Sequence, residues 1–353
     1  MRTSYKVTGL MSGSSLDGVD LAYCEFSREQ NEWDSRIVHC ETIAYPSWLK
    51  GLLENPATLS NNEVMELDLL LGMHFAELIN DFHRKHNLAP NLIGSHGHTL
   101  FHEPKKGITF QAGNGALMAE RTEIIVINDF RREDVAQGGQ GAPLVPIGDQ
   151  LLFGTYDACL NLGGFANISF DNPQGKRLAF DVGPANLALN WIAAKDGQDF
   201  DKDGELAAQG EIDQNLLHLL NSLEYYSMEA PKSLGKEWFN EIFIPHLNNP
   251  EISLQDLMAT MVEHIAIQLA SSLALACANT VLVTGGGALN KFLIERLSFH
   301  TGAQIHIPSQ DLVQFKEALI FAFLGLLKYQ GEVNCLASVT GGDSDLSAGT
   351  IHN

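Results

Sequence analysis

Acidic side chains near the ends of predicted strands are the first feature of this sequence that could do chemistry. Asp17, Asp20, Asp129 and Asp181 each lie at or just past a predicted strand or its turn. Phosphoryl transfer uses one carboxylate to accept a proton and another to anchor hydrated Mg²⁺, although a lone aspartate is more often a cap or turn residue. Asp181 carries the strongest signal, because Pro184 and a helix-forming stretch follow it. This order predicts a strand-to-helix turn with the carboxylate at the mouth of a cleft.

Glycine-rich turns follow predicted strands at residues 13–18, 138–141, 161–164 and 285–287. Without a Cβ atom in the way, backbone N–H groups in such turns can converge on an anion. Two of these turns facing each other could clamp a triphosphate, although each one taken alone also fits a simple tight turn. The sequence contains neither a Walker A motif nor GxGxxG after the first strand, so nucleotide binding here would not use a P-loop.

A histidine cluster, with His96, His98 and His102, allows a different hypothesis. His96 and His98 would face one side of a strand, as two ligands of a metal-dependent hydrolase could. No Cys, Asp or Glu stands at ligand spacing until Glu103, and Ser95 lacks the GxSxG context of a hydrolase nucleophile. The pattern therefore favours hydrogen-bonding histidines in a cleft loop over a zinc site.

Two series of elements must position these residues. Each begins with a strand, a glycine turn and two more strands, and continues with helices that alternate with strands. Capping signals at Ser60 with Glu63 and at Ser253 with Asp256 begin the two long helices. The repetition predicts a duplicated α/β fold with mixed sheets flanked by helices. The predicted strands are 6–11, 20–26, 37–43, 92–95, 124–128, 157–162, 166–170, 177–181, 281–284 and 304–307, and the predicted helices are 61–86, 187–194, 254–278, 290–299 and 316–329.

Composition limits the classes of function. The 353 residues are enough for two domains, and 45% of them are hydrophobic, as in an ordinary globular protein. A net charge of −21 argues against a nucleic-acid surface and against binding to an anionic membrane. No run reaches the roughly 18 apolar residues of a membrane span. We expect a cytoplasmic protein without an export signal, whose five scattered cysteines are free thiols.

Several sequence blocks, in order along most of the chain, resemble the anhydro-N-acetylmuramic acid kinase family. The first is MSGSSLDGVD at residues 11–20, which is similar to the N-terminal signature of that family. Single blocks are weak signals, but the ordered series is specific. The others are SHGHTLFHEP (95–104), NDFR (128–131), DVAQGGQGAPL (134–144), NLGGFANI (161–168), FDVGPAN (180–186), FDKDG (200–204), KSLG (232–235), GGGALN (285–290), EA (317–318) and SVTG (338–341).

The resemblance implies the fold of the sugar kinase, actin and heat-shock ATPase superfamily, with two ribonuclease-H-like domains around a central cleft. We expect the first domain at residues 1–130, with residues 331–353 able to return to it, and the second at 131–330. Asp181 falls on the catalytic base of the family, and Thr99, Arg131 and Glu317 fall on sugar-contacting positions. The residues implied to bind ATP are Gly13, Ser14, Ser15, Leu16, Asp17, Gly18, Val19, Asp20, Asn161, Gly163, Gly164, Gly285, Gly286 and Gly287.

The implied reaction is the ATP-dependent opening of 1,6-anhydro-N-acetylmuramic acid to N-acetylmuramic acid 6-phosphate, in the recycling of cell-wall peptidoglycan. Asp181 would take a proton from the water that attacks the anomeric carbon, and O6 would attack the γ-phosphorus of ATP. Mg²⁺ would arrive with the nucleotide rather than at a metal site of the protein. The family also implies a homodimer. The alternatives are a non-catalytic nucleotide- or sugar-binding regulator of the same fold and a kinase of a related sugar.

Five positions depart from the family pattern. Val182 stands in place of a threonine after the catalytic aspartate, and Ala185 replaces a glycine where a helix begins. His98 replaces a glutamine, Asn114 replaces an aspartate, and Leu234 replaces a threonine. On the sequence alone these changes remove polar groups from the expected sugar side, and they allow either a different substrate or reduced activity.

Overall fold

The computed structural model describes residues 3–13 and 16–353, and Ser14 and Ser15 of the expected nucleotide loop lie outside the described residues. The strands are β1 Thr3–Ser12, β2 Val19–Glu29, β3 Glu32–Ile43, β4 Leu92–Glu103, β5 Ile108–Ala112, β6 Ile125–Asn128, β7 Ala158–Leu162, β8 Phe165–Asp171, β9 Arg177–Pro184, β10 Thr280–Thr284, β11 Gln304–His306 and β12 Thr350–His352. The α-helices are α1 Ser47–Leu53, α2 Asn61–His86, α3 Gly115–Thr122, α4 Arg132–Ala136, α5 Val145–Leu152, α6 Asn186–Ala193, α7 Gln214–Asn221, α8 Glu224–Ser227, α9 Lys236–Trp238, α10 Ile244–Leu247, α11 Leu254–Leu275, α12 Lys291–His300, α13 Gln310–Gln330 and α14 Ala337–Thr340.

The chain divides into two compact units, one formed by Met1–Leu152 with Phe315–Asn353 and the other by Phe153–Gln314. These boundaries differ from those expected at 130 and 330. The reason is the packing of α5 against α13: Asp149 and Lys316 form a buried ion pair of 2.8 Å, and Gly148 lies against Ile320. Residues 131–152 and most of α13 therefore belong with the first sheet.

The first unit is built on a sheet of order β12-β6-β4-β1-β2-β3, with β5 paired to β4. β1, β2 and β3 form an antiparallel meander, while β4 pairs parallel to β1 and β6 parallel to β4. Ser12 pairs with Val19, so β1 and β2 form the hairpin that the sequence predicted, with its turn between these two residues. This arrangement places the turn at the carboxyl end of β1.

Helix α13 packs directly on the backbone of this sheet because glycines leave room for it. A Cβ atom on Gly9 of β1 would lie 1.9 Å from the carbonyl oxygen of Ala318, and one on Gly94 of β4 would lie 2.2 Å from that of Phe321. Gly325 on the helix meets Gly94 in turn. The close approach fixes the height of α13, and hence of Glu317, above β1 and β4.

The second unit repeats the topology with a sheet of order β11-β10-β7-β8-β9. β7, β8 and β9 form an antiparallel meander, β10 pairs parallel to β7, and β11 pairs parallel to β10. In both units a three-stranded meander is extended by two parallel strands beside its first strand. The prediction of a duplicated α/β fold with mixed, helix-flanked sheets of ribonuclease-H-like order is confirmed.

Helix α11 forms the centre of the second hydrophobic core. Its N-terminus is capped by Ser253, whose hydroxyl accepts the Asp256 N–H at 3.1 Å. Contrary to expectation, this helix is long and apolar enough to cross a membrane. However, 67% of its most apolar 18-residue stretch is buried inside the protein. Burial within the unit explains its composition.

Most predicted elements are present, and the differences concern their ends and the shorter elements. Helix α2 has the predicted limits, and the Ser60–Glu63 capping box is formed. β9 runs on to Pro184, so Asp181 lies within the strand rather than in a turn after it, which corrects the expectation. Residues 138–141 follow helix α4 and not a strand. The elements that the sequence prediction missed are α1, α3, α4, α5, α7, α8, α9, α10, α14, β5 and β12.

Candidate functional site

Two of the expected nucleotide turns lie side by side in the second unit. Residues 161–164 end β7 and residues 285–287 end β10, and these strands are parallel neighbours in which Asn161 pairs with Thr284. Gly285 has φ +81°, and a Cβ atom there would lie 2.6 Å from Oδ1 of Asn161. Within the described chain, the N–H groups of Gly163 and Gly164 donate to no other residue. This cradle therefore offers unused backbone donors of the kind that bind phosphate.

The N-terminus of α6 packs against the same turn. The carbonyl oxygen of Gly164 accepts the N–H groups of Ala185 at 2.9 Å and of Leu187 at 3.1 Å, and that of Gly163 accepts the N–H of Asn186 at 3.1 Å. The amide Nδ2 of Asn186 also donates to Leu162 at 2.8 Å. Helix, hairpin turn and glycine turn are thus fixed to one another through backbone contacts.

Asp181 lies on β9, the edge strand of the second sheet, and is held by main-chain groups. Its N–H donates to the carbonyl of Lys232 at 3.1 Å, and its Oδ2 accepts the N–H of Leu234 at 2.9 Å. Among residues 3–13 and 16–353, no other group donates to the carboxylate and no cationic nitrogen lies within 4.0 Å of it. Burial raises the pKa of Asp181 above 3.8, against the lowering effect of the Leu234 hydrogen bond. A carboxylate that is oriented through one oxygen and has no counter-charge is suited to accept a proton.

Tyr225 and Lys232 hold the backbone around Asp181, and the sequence did not indicate the role of Tyr225. The Tyr225 hydroxyl donates to the carbonyl of Asp181 at 2.5 Å. Lys232 Nζ donates to the carbonyl of Tyr225 at 3.1 Å and lies 4.7 Å from the centre of its ring. Burial raises the pKa of Tyr225, so its phenol keeps its proton and remains a donor. Forty-four residues separate Tyr225 from Asp181, and no local pattern signals such a contact.

In the first unit, a buried hydrogen-bonded group lies where the turn at residues 13–18 begins. Ser12 Oγ lies 2.7 Å from Nδ1 of His98 and 2.5 Å from the hydroxyl of Tyr45. Burial lowers the pKa of His98 to about 4 and raises that of Tyr45 to about 12, so both are neutral near pH 7. His98, one of the departures from the family pattern, thus holds the end of β1.

The other described residues of this turn, Gly13 and 16–18, are placed as a hairpin tip requires. The N–H of Leu16, at φ +58°, donates to Gly13 at 3.3 Å, and Asp17 lies between Leu16 and Gly18. A Cβ atom on Gly18 would lie 2.6 Å from the carbonyl oxygen of Ile43. Asp20 follows on β2, where it accepts the Thr42 hydroxyl at 2.6 Å, and burial raises the pKa of its carboxyl.

Arg131, expected on the sugar side, is held by two neutral acceptors. Its Nε and Nη2 lie 3.0 and 2.8 Å from Nε2 of His96, and its Nη1 donates to the carbonyl of Gly141 at 2.6 Å. Burial lowers the pKa of Arg131 to about 10, against the raising effect of Glu317, so the guanidinium stays charged at neutral pH.

Glu317 and Thr99 belong to the same unit as Arg131. Glu317 is exposed to solvent on α13, yet the protein around it raises its pKa, because desolvation and the nearby Asp20 outweigh Arg131. Thr99 is partly buried on β4, beside Gln111 of β5, whose amide donates to the Thr99 hydroxyl at 3.4 Å. Glu317, Asp20 and Arg131 therefore form one electrostatically coupled group, whereas Thr99 shares no hydrogen bond with it.

The fourth glycine turn, at residues 138–141, is used inside the protein. The fully buried Asp134 accepts the N–H of Gly141 at 2.7 Å and the hydroxyl of Thr340 at 2.6 Å. A Cβ atom on Gly139 would lie 2.1 Å from the Asp134 carboxylate. These glycines wrap a buried carboxylate, so this turn is structural.

Four of the five departures, with His98 included, occupy positions that explain them. Val182 and Ala185 lie in the second hydrophobic core, and Ala185 has no accessible surface. Asn114 caps α3 by accepting the Leu117 N–H at 3.0 Å, and its Nδ2 donates to Asp68 at 2.9 Å. The carboxylate of Asp68 therefore lies beside position 114. Leu234 contacts Asp181 through its backbone, which any side chain would preserve.

His96, one of the two histidines that would have to act together as metal ligands, has no free ring nitrogen for a metal ion. Both ring nitrogens of His96 are hydrogen-bonded, to Arg131 and to the carbonyl of Gly97, and Nδ1 of His98 is bonded to Ser12. Across residues 3–13 and 16–353, no group of three or more His, Cys, Asp or Glu side chains could hold a metal ion. The occupied nitrogens argue against the metal-dependent hydrolase.

Comparison with known proteins decides the family. Residues 5–353 match the sequence model of the family described as "Anhydro-N-acetylmuramic acid kinase". The chain belongs to this family. Curated anhydro-N-acetylmuramic acid kinases from Pseudomonas savastanoi pv. phaseolicola and Vibrio vulnificus are 37% and 34% identical to it, over 98% and 100% of both chains. A solved activator of 2-hydroxyisocaproyl-CoA dehydratase from Clostridium difficile with bound ADPNP is 16% identical, with a TM-score of 0.45 over 92% of this chain and 96% of that one.

Membership in the anhydro-N-acetylmuramic acid kinase family confirms the resemblance on which the site residues were chosen. The roles of individual residues stay predictions. The first unit holds the turn at residues 13–18, Asp20, Thr99, Arg131 and Glu317, and the second holds Asp181 and the turns at 161–164 and 285–287.

Proposed function

We propose that this protein is an ATP-dependent kinase that hydrolyses the anhydro bridge of 1,6-anhydro-N-acetylmuramic acid and phosphorylates O6. The product is N-acetylmuramic acid 6-phosphate. Full-length membership in the family supports the substrate. The observation that carries the chemistry is the Asp181 carboxylate, oriented by the Leu234 N–H and without a cation within 4.0 Å among the described residues. A permanent salt bridge there would have lowered its basicity and blocked the approach of water.

The proposed reaction balances with Asp181 as the general base. Asp181 takes a proton from water, and the water oxygen bonds to C1 of the sugar while the C1–O6 bond breaks. O6 then attacks the γ-phosphorus, and the bond to the leaving ADP breaks. In this proposal the backbone N–H groups of Gly163 and Gly164 bind phosphate oxygens, and Mg²⁺ enters with ATP as part of that substrate. Asp181 regains its starting state by releasing its proton to solvent.

The direct experiment is ADP release by the full chain with Mg²⁺, ATP and 1,6-anhydro-N-acetylmuramic acid. Asp181→Asn should lower kcat by about 10²–10⁴-fold, because general-base help is of that order. Asp199→Asn removes the same charge from an exposed surface position and serves as the matched control. In heavy-oxygen water the label should enter the sugar and not the phosphate. If the wild-type protein releases no ADP with this sugar but releases it with a related one, the substrate assignment is wrong, whereas the assignment as a kinase stands.

The non-catalytic alternative makes a different prediction. A regulator of this fold would bind nucleotide in calorimetry and form no product over hours. The Asp181 carboxylate disfavours it, since a binding protein gains nothing from a partly buried base that has no counter-charge.

We further propose that the protein acts in the cytoplasm, in the recycling of cell-wall peptidoglycan, as a homodimer. Family membership supports these proposals. Light scattering on purified protein at micromolar concentration tests the dimer, and a mass equal to one chain of 38.6 kDa would overturn it.

A further inference from the structure

Arg131 is a charged group that forms no ion pair with a carboxylate of the described residues, although the more distant Glu317 acts on it electrostatically. Its guanidinium has five N–H donors. Three of them serve neutral acceptors, namely Nε2 of His96, which takes two, and the carbonyl of Gly141. Among residues 3–13 and 16–353, no carboxylate oxygen lies within 4.0 Å of it. These three hydrogen bonds leave one N–H on Nη1 and one on Nη2 unused.

The arrangement of His96 shows how the guanidinium is kept in place. His96 is 5% exposed, and its ring lies 4.5 Å from that of Phe321 on α13. Nδ1 donates to the carbonyl of Gly97 at 3.0 Å, so Nε2 carries the lone pair that accepts from Arg131. Burial and the adjacent Arg131 keep the pKa of His96 well below its usual range, with His98 and His102 acting in the same direction. The imidazole is therefore a neutral acceptor of fixed tautomer.

We propose that His96 is a positioning residue that holds Arg131 with its two remaining N–H groups directed at a carboxylate of the sugar substrate. The inference rests on the proposed function and deepens it. The two unused N–H groups, one on each terminal nitrogen of the guanidinium, can pair with the two oxygens of a carboxylate, and such bidentate pairs are stronger than single neutral hydrogen bonds. A sugar ether-linked to a carboxylic acid meets this requirement, whereas a neutral amino sugar does not.

The alternative is that His96 only fills space beneath α13. A structural residue would lower stability on replacement and affect all substrates alike. A positioning residue acts on the carboxylate-bearing sugar alone. The two roles are therefore separated by comparing sugars rather than by the loss of activity.

The experiment measures kcat and KM for His96→Leu, which has no acceptor, and for His96→Gln, which restores one. 1,6-Anhydro-N-acetylmuramic acid and 1,6-anhydro-N-acetylglucosamine, which lacks the carboxylate, are compared. The matched control is His83→Leu, because His83 is also buried in this unit and its ring is bonded to Thr8, at 2.8 Å, rather than to a cation. We expect His96→Leu to raise KM for the acidic sugar about tenfold or more, with kcat and the KM for ATP little changed. His96→Gln should recover most of the loss, and the KM for the neutral sugar should not move.

Equal losses for both sugars, or the same loss in His83→Leu, would overturn the proposal. A second readout is independent of turnover. In nitrogen NMR of labelled histidine, His96 should stay in the Nδ1–H tautomer from about pH 5 to 8, and Arg131→Met should shift its Nε2 signal. If the wild-type protein fails to phosphorylate the sugar while this contact is seen, the proposed function is wrong and the His96–Arg131 contact stands. An unaltered Nε2 signal in Arg131→Met would exclude the contact itself.

Discussion

Substitution of Gly9 by alanine should disturb the site without touching any proposed functional residue. The added Cβ would lie 1.9 Å from the carbonyl oxygen of Ala318, about 1.5 Å short of an ordinary contact of 3.4 Å. The obstructing atom belongs to the backbone of α13, so the whole helix must move to make room for the new Cβ atom. Overpacking of this kind costs about 1–3 kcal/mol, and we expect the upper end. Glu317 precedes Ala318 and moves with it, and a misplacement of about 1 Å in a site can cost about 10²-fold in rate.

The assay pairs urea unfolding with sugar-dependent ADP release. Gly51→Ala is the control, because nothing lies within 4 Å of its Cβ position in helix α1. That change should stabilise the protein by roughly 0.5–1 kcal/mol and leave activity unchanged. If Gly9→Ala unfolds at the wild-type urea concentration and retains wild-type kcat/KM, the contact between α13 and β1 is not the one described here.

Three further predictions concern stability. Asp181→Asn should raise the free energy of unfolding near pH 7, because it removes a desolvated charge. The pKa of Asp181 in the folded protein lies above 3.8, so below pH 3.8 the carboxyl is protonated in both the folded and the unfolded state, and thermal melts there should show no gain in stability. Ser60→Ala breaks the capping box with Glu63 and should cost about 1 kcal/mol in urea unfolding. Lys316→Met removes the cation 2.8 Å from the buried Asp149 and should cost about 3–5 kcal/mol, part of which Asp149→Leu recovers. An unchanged midpoint in either of the last two would refute that contact.

The sequence predicted the elements that depend on local signals and missed those that depend on distant partners. Helix α2 has the predicted limits because its capping box and its periodicity lie within the helix. β12 has only three residues, and its pairing partner β6 lies more than two hundred residues earlier in the chain. Its position depends on the sheet that it joins, which no short window of sequence contains.

The same distinction holds for the candidate site. The sequence indicated Asp181, but its surroundings come from segments 44 to 53 residues away, through Tyr225, Lys232 and Leu234. Pro184 was taken as the start of a helix turn, whereas it ends a longer strand. The extension occurs because Gly183 and Pro184 remain paired with Ala166 and Phe165 of β8. A proline is tolerated at the end of an edge strand, where no ladder donor is needed.

The glycine turns show which information the sequence cannot supply. Turns 138–141 and 161–164 have similar composition, yet in the first the N–H groups of Gly139 and Gly141 are both donated to Asp134, at its carbonyl and its carboxylate. In the second, the N–H groups of Gly163 and Gly164 donate to no described residue, while their carbonyls hold α6. A turn can bind a phosphate only with donors that the protein has not already used. An internal carboxylate thus removes one turn from the possible nucleotide site, and the absence of an internal acceptor leaves the other available for it.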